Sequence, residues 1–248
     1  MKGSMMGTTP RGIRDEKQAA VWVRDMFAQV APKYDLLNHV LSLNIDRMWR
    51  ARTVRHVGDI LARPDACVLD LCCGTGDLAI ALSAKAAATV LASDFCHPML
   101  MAAARKTPIP LFEADALQLP VADASFDLIT VAFGFRNLAN YGNGLKELQR
   151  VLKPGGTLAI LEFSTPPNPA FARAYDFYSN RVLPAVGRTL SGAKEAYTYL
   201  PESVRRFPDA PTLAAMMRSA GYGGVEFKRM TFGIVALHTG LRPAGDSD

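Results

Sequence analysis

The chain has 248 residues, 49% of them hydrophobic and 21% charged, with a formal net charge of +5. Such a length and composition exclude collagen-like, disordered and coiled-coil chains, and they let one large domain bury its core without disulfide or metal staples. No apolar run reaches the roughly 18 residues of a transmembrane helix, and the opening MKGSMMGTTPRGIRDEK lacks the apolar core of a secretory signal, so a soluble cytoplasmic protein is expected.

In chain order, Val21, Trp22, Met26, Phe27 and Val30 recur at helical spacing over residues 15–31, and Pro32 stops that helix. A second helix is predicted over roughly residues 47–62, ending before Pro64. The period then changes. Residues 67–72, 89–94, 109–114, 127–133 and 157–163 are short, nearly continuous apolar runs, as expected of strands buried on both faces. Helix-like segments (GDLAIALSAKAA, HPMLMAAARK, NGLKELQRVLK) alternate with them, which predicts a doubly wound, mostly parallel α/β sheet with helices on both faces. The closing runs 224–230 and 233–240 are separated only by Thr231 and Phe232, too short a link for a parallel crossover. The seventh strand is therefore predicted antiparallel. Residues 165–211 interrupt the pattern with prolines and aromatic residues. This stretch is too apolar for a linker and reads as a helical insertion over the strand ends, a lid or substrate pocket. Residues 1–63 then form a helical segment ahead of a 64–248 domain, the whole being one structural unit.

The strongest local signal is Val68-Leu69-Asp70-Leu71-Cys72-Cys73-Gly74-Thr75-Gly76-Asp77, a strand entering a glycine turn that opens a helix. Turns of this kind bind nucleotides at the carboxyl edge of a doubly wound sheet. Gly74-Thr75-Gly76-Asp77-Leu78-Ala79 also fits the dinucleotide pattern G-x-G-x-x-A, with Asp94 twenty residues beyond Gly74, so an NAD-dependent oxidoreductase is a competing reading. Three acids favour S-adenosylmethionine instead. Asp70 would repel a pyrophosphate but suits an ammonium, Asp94 can accept ribose hydroxyls, and Asp115, beside Ala116, can accept an adenine amino group. The cysteines (Cys67, Cys72, Cys73, Cys96) form no C-x-x-C pair and no zinc pattern with the histidines, so reduced thiols and no metal are expected.

On these residues the chain resembles the class I S-adenosylmethionine-dependent methyltransferases, and more narrowly the ubiquinone/menaquinone biosynthesis C-methyltransferases. Tyr34-Asp35-Leu36-Leu37-Asn38 continuing to Ser42 and Trp49 is similar to that family's Y-D-x-M-N…S…H-x-x-W signature. The run from Arg150 to Gly156, on to Glu162-Phe163-Ser164, is similar to R-V-L-K-P-G-G…E-F-S. Phe133-Gly134-Phe135-Arg136-Asn137 resembles the F-G-x-R-N loop, and the match covers roughly residues 18–240. Three positions depart: Leu37 stands where the family carries Met, Asp46 where it carries His, and Ala132 where a small polar residue is usual.

The resemblance implies methyl transfer to a ring carbon of a polyprenylated quinol. Demethylmenaquinol is favoured over a ubiquinone-pathway benzoquinol because Asp46 replaces the usual His. It points to Arg136 as the group stabilising the developing quinolate, with Asn137 holding that arginine or the cofactor and Tyr34 closing the pocket on the quinol oxygen. Glu162 and Ser164 are further candidates at the fifth strand's end. The basic flanks (11 basic against 6 acidic residues in 1–63, 10 against 7 in 166–248) surround an acidic centre. With an apolar tail on the substrate, Arg47, Arg50, Arg52, Arg55, Arg205 and Arg206 suggest peripheral contact with the inner face of a membrane. No nucleic-acid partner is expected, since long basic runs and interleaved aromatics are missing. A homodimer is entertained.

Overall fold

A computed structural model of the protein describes residues 7–8, 10, 12–13, 15–34, 42, 44–178, 181 and 194–244. Residues 35–38 of the Tyr34 motif, and residues 179–193 of the insertion apart from Arg181, lie outside the described residues.

Helix α1 (Glu16–Val30) starts where the Asp15 side chain accepts the Gln18 N–H at 3.0 Å. Its inward face is Ala19, Val23, Met26 and Val30, at helical spacing. Val21, assigned to that face from the sequence, is 45% exposed, because the small Ala19 continues the stripe instead. A single 3₁₀ turn containing Pro32 ends the element. The predicted second helix is two, α2 (Ile45–His56) and α3 (Gly58–Leu61), broken at Val57 ahead of a helix-weakening glycine.

Seven strands follow: β1 (Cys67–Leu71), β2 (Thr89–Asp94), β3 (Leu111–Glu113), β4 (Phe126–Ala132), β5 (Leu152–Phe163), β6 (Gly223–Met230) and β7 (Val235–Leu241). They are ordered β3-β2-β1-β4-β5-β7-β6. The first five run parallel, and β7 lies antiparallel between β5 and β6. β3 is shorter than predicted because Pro110 has no N–H for the ladder. β5 starts five residues before the predicted 157, since the Lys153-Pro154-Gly155-Gly156 stretch is a bulged entry to the strand, with Gly155 at φ +77.

Crossover helices α4 (Asp77–Ser83), α5 (His97–Ala104) and α6 (Tyr141–Val151) join the parallel strands, and α7 (Pro169–Phe177), α8 (Lys194–Arg206) and α9 (Ala210–Ser219) follow β5. Neighbouring strand residues serve opposite cores: Leu69, Ile129 and Leu158 face one cluster with Leu145 and Leu148, while Val68, Leu128 and Ala159 face the other with Leu78 and Leu82. Both faces being buried is why these runs read as continuous rather than alternating. The chain leaves β1 toward β2 on one side and continues through β4 and β5 on the other. The order reverses between β1 and β4, which opens a crevice at their carboxyl ends.

Candidate active site

A cavity of about 400 Å³ occupies that crevice. Its floor is the turn after β1. Cys72 takes φ +54, Gly74 φ +56 and Gly76 φ +86, so the chain doubles back tightly before α4. A Cβ on Gly76 would lie 3.3 Å from Ala103 Cβ, which marks how closely the turn approaches α5. Gly76 does not itself line the cavity, whereas Gly74 and the buried Thr75 do.

Two carboxylates stand at the strand ends beside this turn. Asp94 closes β2, and its two oxygens accept the backbone N–H of Gly74 (2.8 Å) and Cys96 (2.9 Å). Burial still outweighs these bonds and raises its pKa to about 6. Asp70 lies on β1 with 1% exposure. One oxygen accepts the Thr130 hydroxyl at 2.7 Å, and the other, also buried, has no hydrogen-bond partner. Burial raises its pKa to about 7, with Thr130 and Arg50 opposing. An orphaned carboxylate oxygen on a cavity wall is a seat for a cationic donor. Asp115 lies further round, exposed, with one oxygen held by the Leu117 N–H at 2.9 Å, and Ala116 is buried beside it. Both line the same cavity. These donors and acceptors suit the amino acid, ribose and adenine parts of S-adenosylmethionine.

Another part of the lining is aromatic. Trp49, Phe133 and Phe163 form a trio with ring centres 4.9–6.3 Å apart, all on the cavity surface. Phe133 adopts φ +58, a left-handed conformation that is costly for a bulky side chain. The Trp49 indole N–H is fixed by the Thr231 hydroxyl at 2.8 Å. Sequence reasoning placed these rings in motifs but did not join them into one surface.

Arg136 follows β4 in a 3₁₀ turn and is buried at 5% exposure, on the cavity wall. Its guanidinium donates to Glu162 at 3.0 Å and to the Phe133 carbonyl, and lies 5.3 Å from the Phe163 ring centre. Glu162 also accepts the Arg136 and Phe163 backbone N–H groups at 3.2 and 2.8 Å. Burial works against the charge on Arg136, but the charge and hydrogen bond of Glu162, together with Tyr34 and Tyr199, more than offset it, so the guanidinium stays protonated. Arg136 is thus a fixed hydrogen-bond donor with its counter-charge built in. Asn137 is beside it on the wall. Ser164 accepts the Ala210 N–H at 3.0 Å, so its hydroxyl holds the start of α9.

Tyr34 lines the cavity, but its ring lies over the glycine turn, 3.6 Å from where a Gly74 Cβ would stand. Its charge also acts on Arg136, so it stands between the glycine turn and that arginine. Asp46, at the departing position, is buried, accepts the Ser42 hydroxyl at 2.6 Å and pairs with Arg50. Arg50 also lies 3.6 Å from Asp77 with its side chain only 12% exposed. That corrects its assignment to a lipid-facing flank: two carboxylates hold it in the cavity wall. Arg47, Arg52, Arg55, Arg205 and Arg206 are exposed.

The sheet order, the glycine turn and the acids at successive strand ends define a class I methyltransferase scaffold. The fold matches a solved S-adenosylmethionine-dependent methyltransferase from Thermotoga maritima, described as a possible histamine N-methyltransferase, with TM-score 0.63 and 17% identity over 88% of this chain and 98% of that one. It also matches the cyclase SpnF with TM-score 0.66, 16% identity and coverage of 90% and 96%, so the fold alone does not settle the reaction. The chain belongs to the ubiE/COQ5 methyltransferase family, whose sequence model matches residues 12–242. Among its relatives, a demethylmenaquinone methyltransferase of Thermus thermophilus is 48% identical over 224 residues, covering 88% of this chain and all of the relative. Family membership sets aside the oxidoreductase reading of the glycine turn.

Proposed function

We propose that the protein transfers the methyl group of S-adenosylmethionine to a ring carbon of demethylmenaquinol. The observation that carries this reading is one cavity with two unlike parts, acids around a glycine turn and an aromatic trio with a buried arginine, in a chain of this family. The ubiquinone-pathway benzoquinol is the lesser reading, since the relatives carry the menaquinone name.

The acid wall holds the methyl donor: Asp70 takes the ammonium, Asp94 the ribose and Asp115 the adenine, with Gly74 and Thr75 beneath and Ala116 alongside. Bound there, S-adenosylmethionine supplies an electrophilic methyl on sulfur. An aromatic carbon is a weak nucleophile, so the quinol oxygen must give its proton to a water to push electron density onto the ring. As the carbon–methyl bond forms and the methyl–sulfur bond breaks, S-adenosylhomocysteine leaves, and the ring carbon then loses its own proton, which returns the quinol. Trp49, Phe133 and Phe163 bury the ring and exclude water from it. Arg136, protonated and already oriented by Glu162, donates to the quinol oxygen as negative charge develops. Single-turnover methylation, read by mass spectrometry on reduced demethylmenaquinone and on a demethylated benzoquinol, tests the reading. A one-methyl gain on a ring carbon of the naphthoquinol is expected. A gain on neither quinol, with S-adenosylmethionine still bound, overturns it.

The apolar tail of such a substrate suggests that the enzyme works at a bilayer surface. No helix among the described residues is long and apolar enough to cross a membrane. Phe232 and Phe177 are 79% and 66% exposed, on the β6–β7 turn and on α7, two elements that also line the cavity. Phe171 of α7 packs on Phe232 with ring centres 5.1 Å apart, and Arg173 of α7 and Arg229 near the end of β6 are exposed. Aromatic and basic side chains around a cavity mouth suit an anionic interface. Co-sedimentation with phosphatidylglycerol vesicles should fall several-fold in a Phe177→Ser/Phe232→Ser variant. Equal sedimentation of variant and parent would sink the idea.

A further inference from the structure

Asn137 lines the cavity, yet its side-chain oxygen accepts the hydroxyl of Tyr199 on helix α8 at 3.0 Å, and Tyr199 does not itself line the cavity. A phenol has one proton to give. With that proton committed to Asn137, Tyr199 accepts from the Thr8 hydroxyl at 2.7 Å, and the chain of bonds runs one way, from Thr8 to Tyr199 to Asn137. The ends of this relay are tied down. The Thr8 N–H donates to the Leu138 carbonyl at 2.8 Å, and a Cβ on Gly7 would fall 1.9 Å from the Ala139 carbonyl oxygen, an approach open only to glycine. Tyr199 is 7% exposed and packs on Trp22 of α1 with ring centres 5.1 Å apart. Burial raises its pKa, which keeps the hydroxyl a donor.

A carboxamide is planar, with its oxygen and its NH₂ on opposite sides. We propose that Tyr199 is a positioning residue that turns the Asn137 carboxamide so that its NH₂ faces the cavity and donates to the oxygen of the ring substrate. This rests on the quinol reading above. Without the Tyr199 hydroxyl the amide is free to flip, and a flipped amide presents an acceptor to an oxygen that is gaining negative charge. The contact spans 62 residues of sequence and joins the insertion to the loop after β4, so seating α8 and arming Asn137 become one event.

The test is a double-mutant cycle. Tyr199→Phe should lower kcat for demethylmenaquinol about tenfold, with S-adenosylhomocysteine affinity within about twofold. In an Asn137→Ala background the same change should cost nothing further. An equal loss in both backgrounds, or no loss in either, overturns the proposal. If Tyr199→Phe unfolds, Thr8→Val replaces it, with a smaller loss expected only where Asn137 is present. The side-chain NH₂ resonance of Asn137, assigned by its absence in Asn137→Asp, should shift in Tyr199→Phe, and an unmoved resonance also overturns the proposal. Should the parent enzyme methylate no quinol, the functional reading fails while this resonance still decides the role of Tyr199.

Discussion

The two ends of the central sheet treat their buried acids in opposite ways. At the amino end, Asp127 of β4 accepts from Lys153 at 2.6 Å, the Cys67 N–H at 2.9 Å and Arg63 at 3.0 Å. Burial there pushes its pKa up, but the Lys153 and Cys67 bonds and the charges of Lys153 and Arg63 prevail, and the pKa is lowered. At the carboxyl end, Asp70 is left with a single side-chain donor and an orphaned oxygen, and burial wins, to about 7. One end is satisfied and stabilises the fold. At the other, Asp70 is left short of partners, so that a cationic ligand completes it. Perturbed acids in a cleft mark function for this reason.

The largest effect is expected where that incomplete end meets the aromatic wall. Arg136→Lys removes the planar fork that Glu162 orients, and a lysine cannot reproduce it. A drop in kcat of about 100-fold is expected, with S-adenosylhomocysteine affinity little changed, read by steady-state kinetics and calorimetry. A kcat within threefold of the parent would remove Arg136 from the chemistry. Next comes Asp70→Asn, which keeps the Thr130 bond but loses the charge. Ligand affinity should fall about 10- to 100-fold, the worth of a charged hydrogen bond. Unchanged affinity would mean that the orphaned oxygen does not receive the ammonium.

The cofactor half of the site was legible because each part is local. A strand end, two glycines and an acid at the next strand end need no knowledge of which strands meet. The aromatic half was not. Glu162 lies 26 residues from Arg136 and reaches it only because β4 and β5 are neighbours in the sheet. Trp49 joins Phe133 and Phe163 from a helix before the sheet begins, and Tyr199 reaches Asn137 from the insertion. Periodicity predicts elements and their buried faces, and it placed nearly every strand. It carries no information on partners across a reversal of strand order. Arg50 was legible by neither route: Asp46, four residues before it, lies just outside the helix predicted over roughly 47–62, and the approach of Arg50 to Asp77 depends on the fold.

At the satisfied end, Asp127→Asn should leave turnover per folded molecule unchanged and lower stability by about 1–2 kcal/mol in urea unfolding. The cost is held down because Lys153 and Arg63, 38% and 49% exposed, return to water once their partner is gone. A loss of activity without a loss of stability would break the division of labour between the two ends.

The smallest effect is also the one that separates the ends most cleanly, through the sign of their pH dependence. Asp127 has a lowered pKa in the folded protein, so its stabilisation is complete above 3.8, the unfolded value, and is lost as pH falls through the lower, folded value. Across pH 5–8 the stability gap between the parent and Asp127→Asn should be flat. Asp70 has a raised pKa, so ionising it penalises the folded state progressively as pH climbs from 3.8 toward about 7. Asp70→Asn escapes that penalty. Measured without ligand, its melting temperature relative to the parent should therefore climb by about 5 °C between pH 5 and 8. Saturating S-adenosylhomocysteine brings an ammonium to the ionised Asp70 and should reverse the order, making the parent the more stable of the two. A gap that is flat in pH for both variants would show that the acids at the two ends are not differently poised, and the comparison would fail.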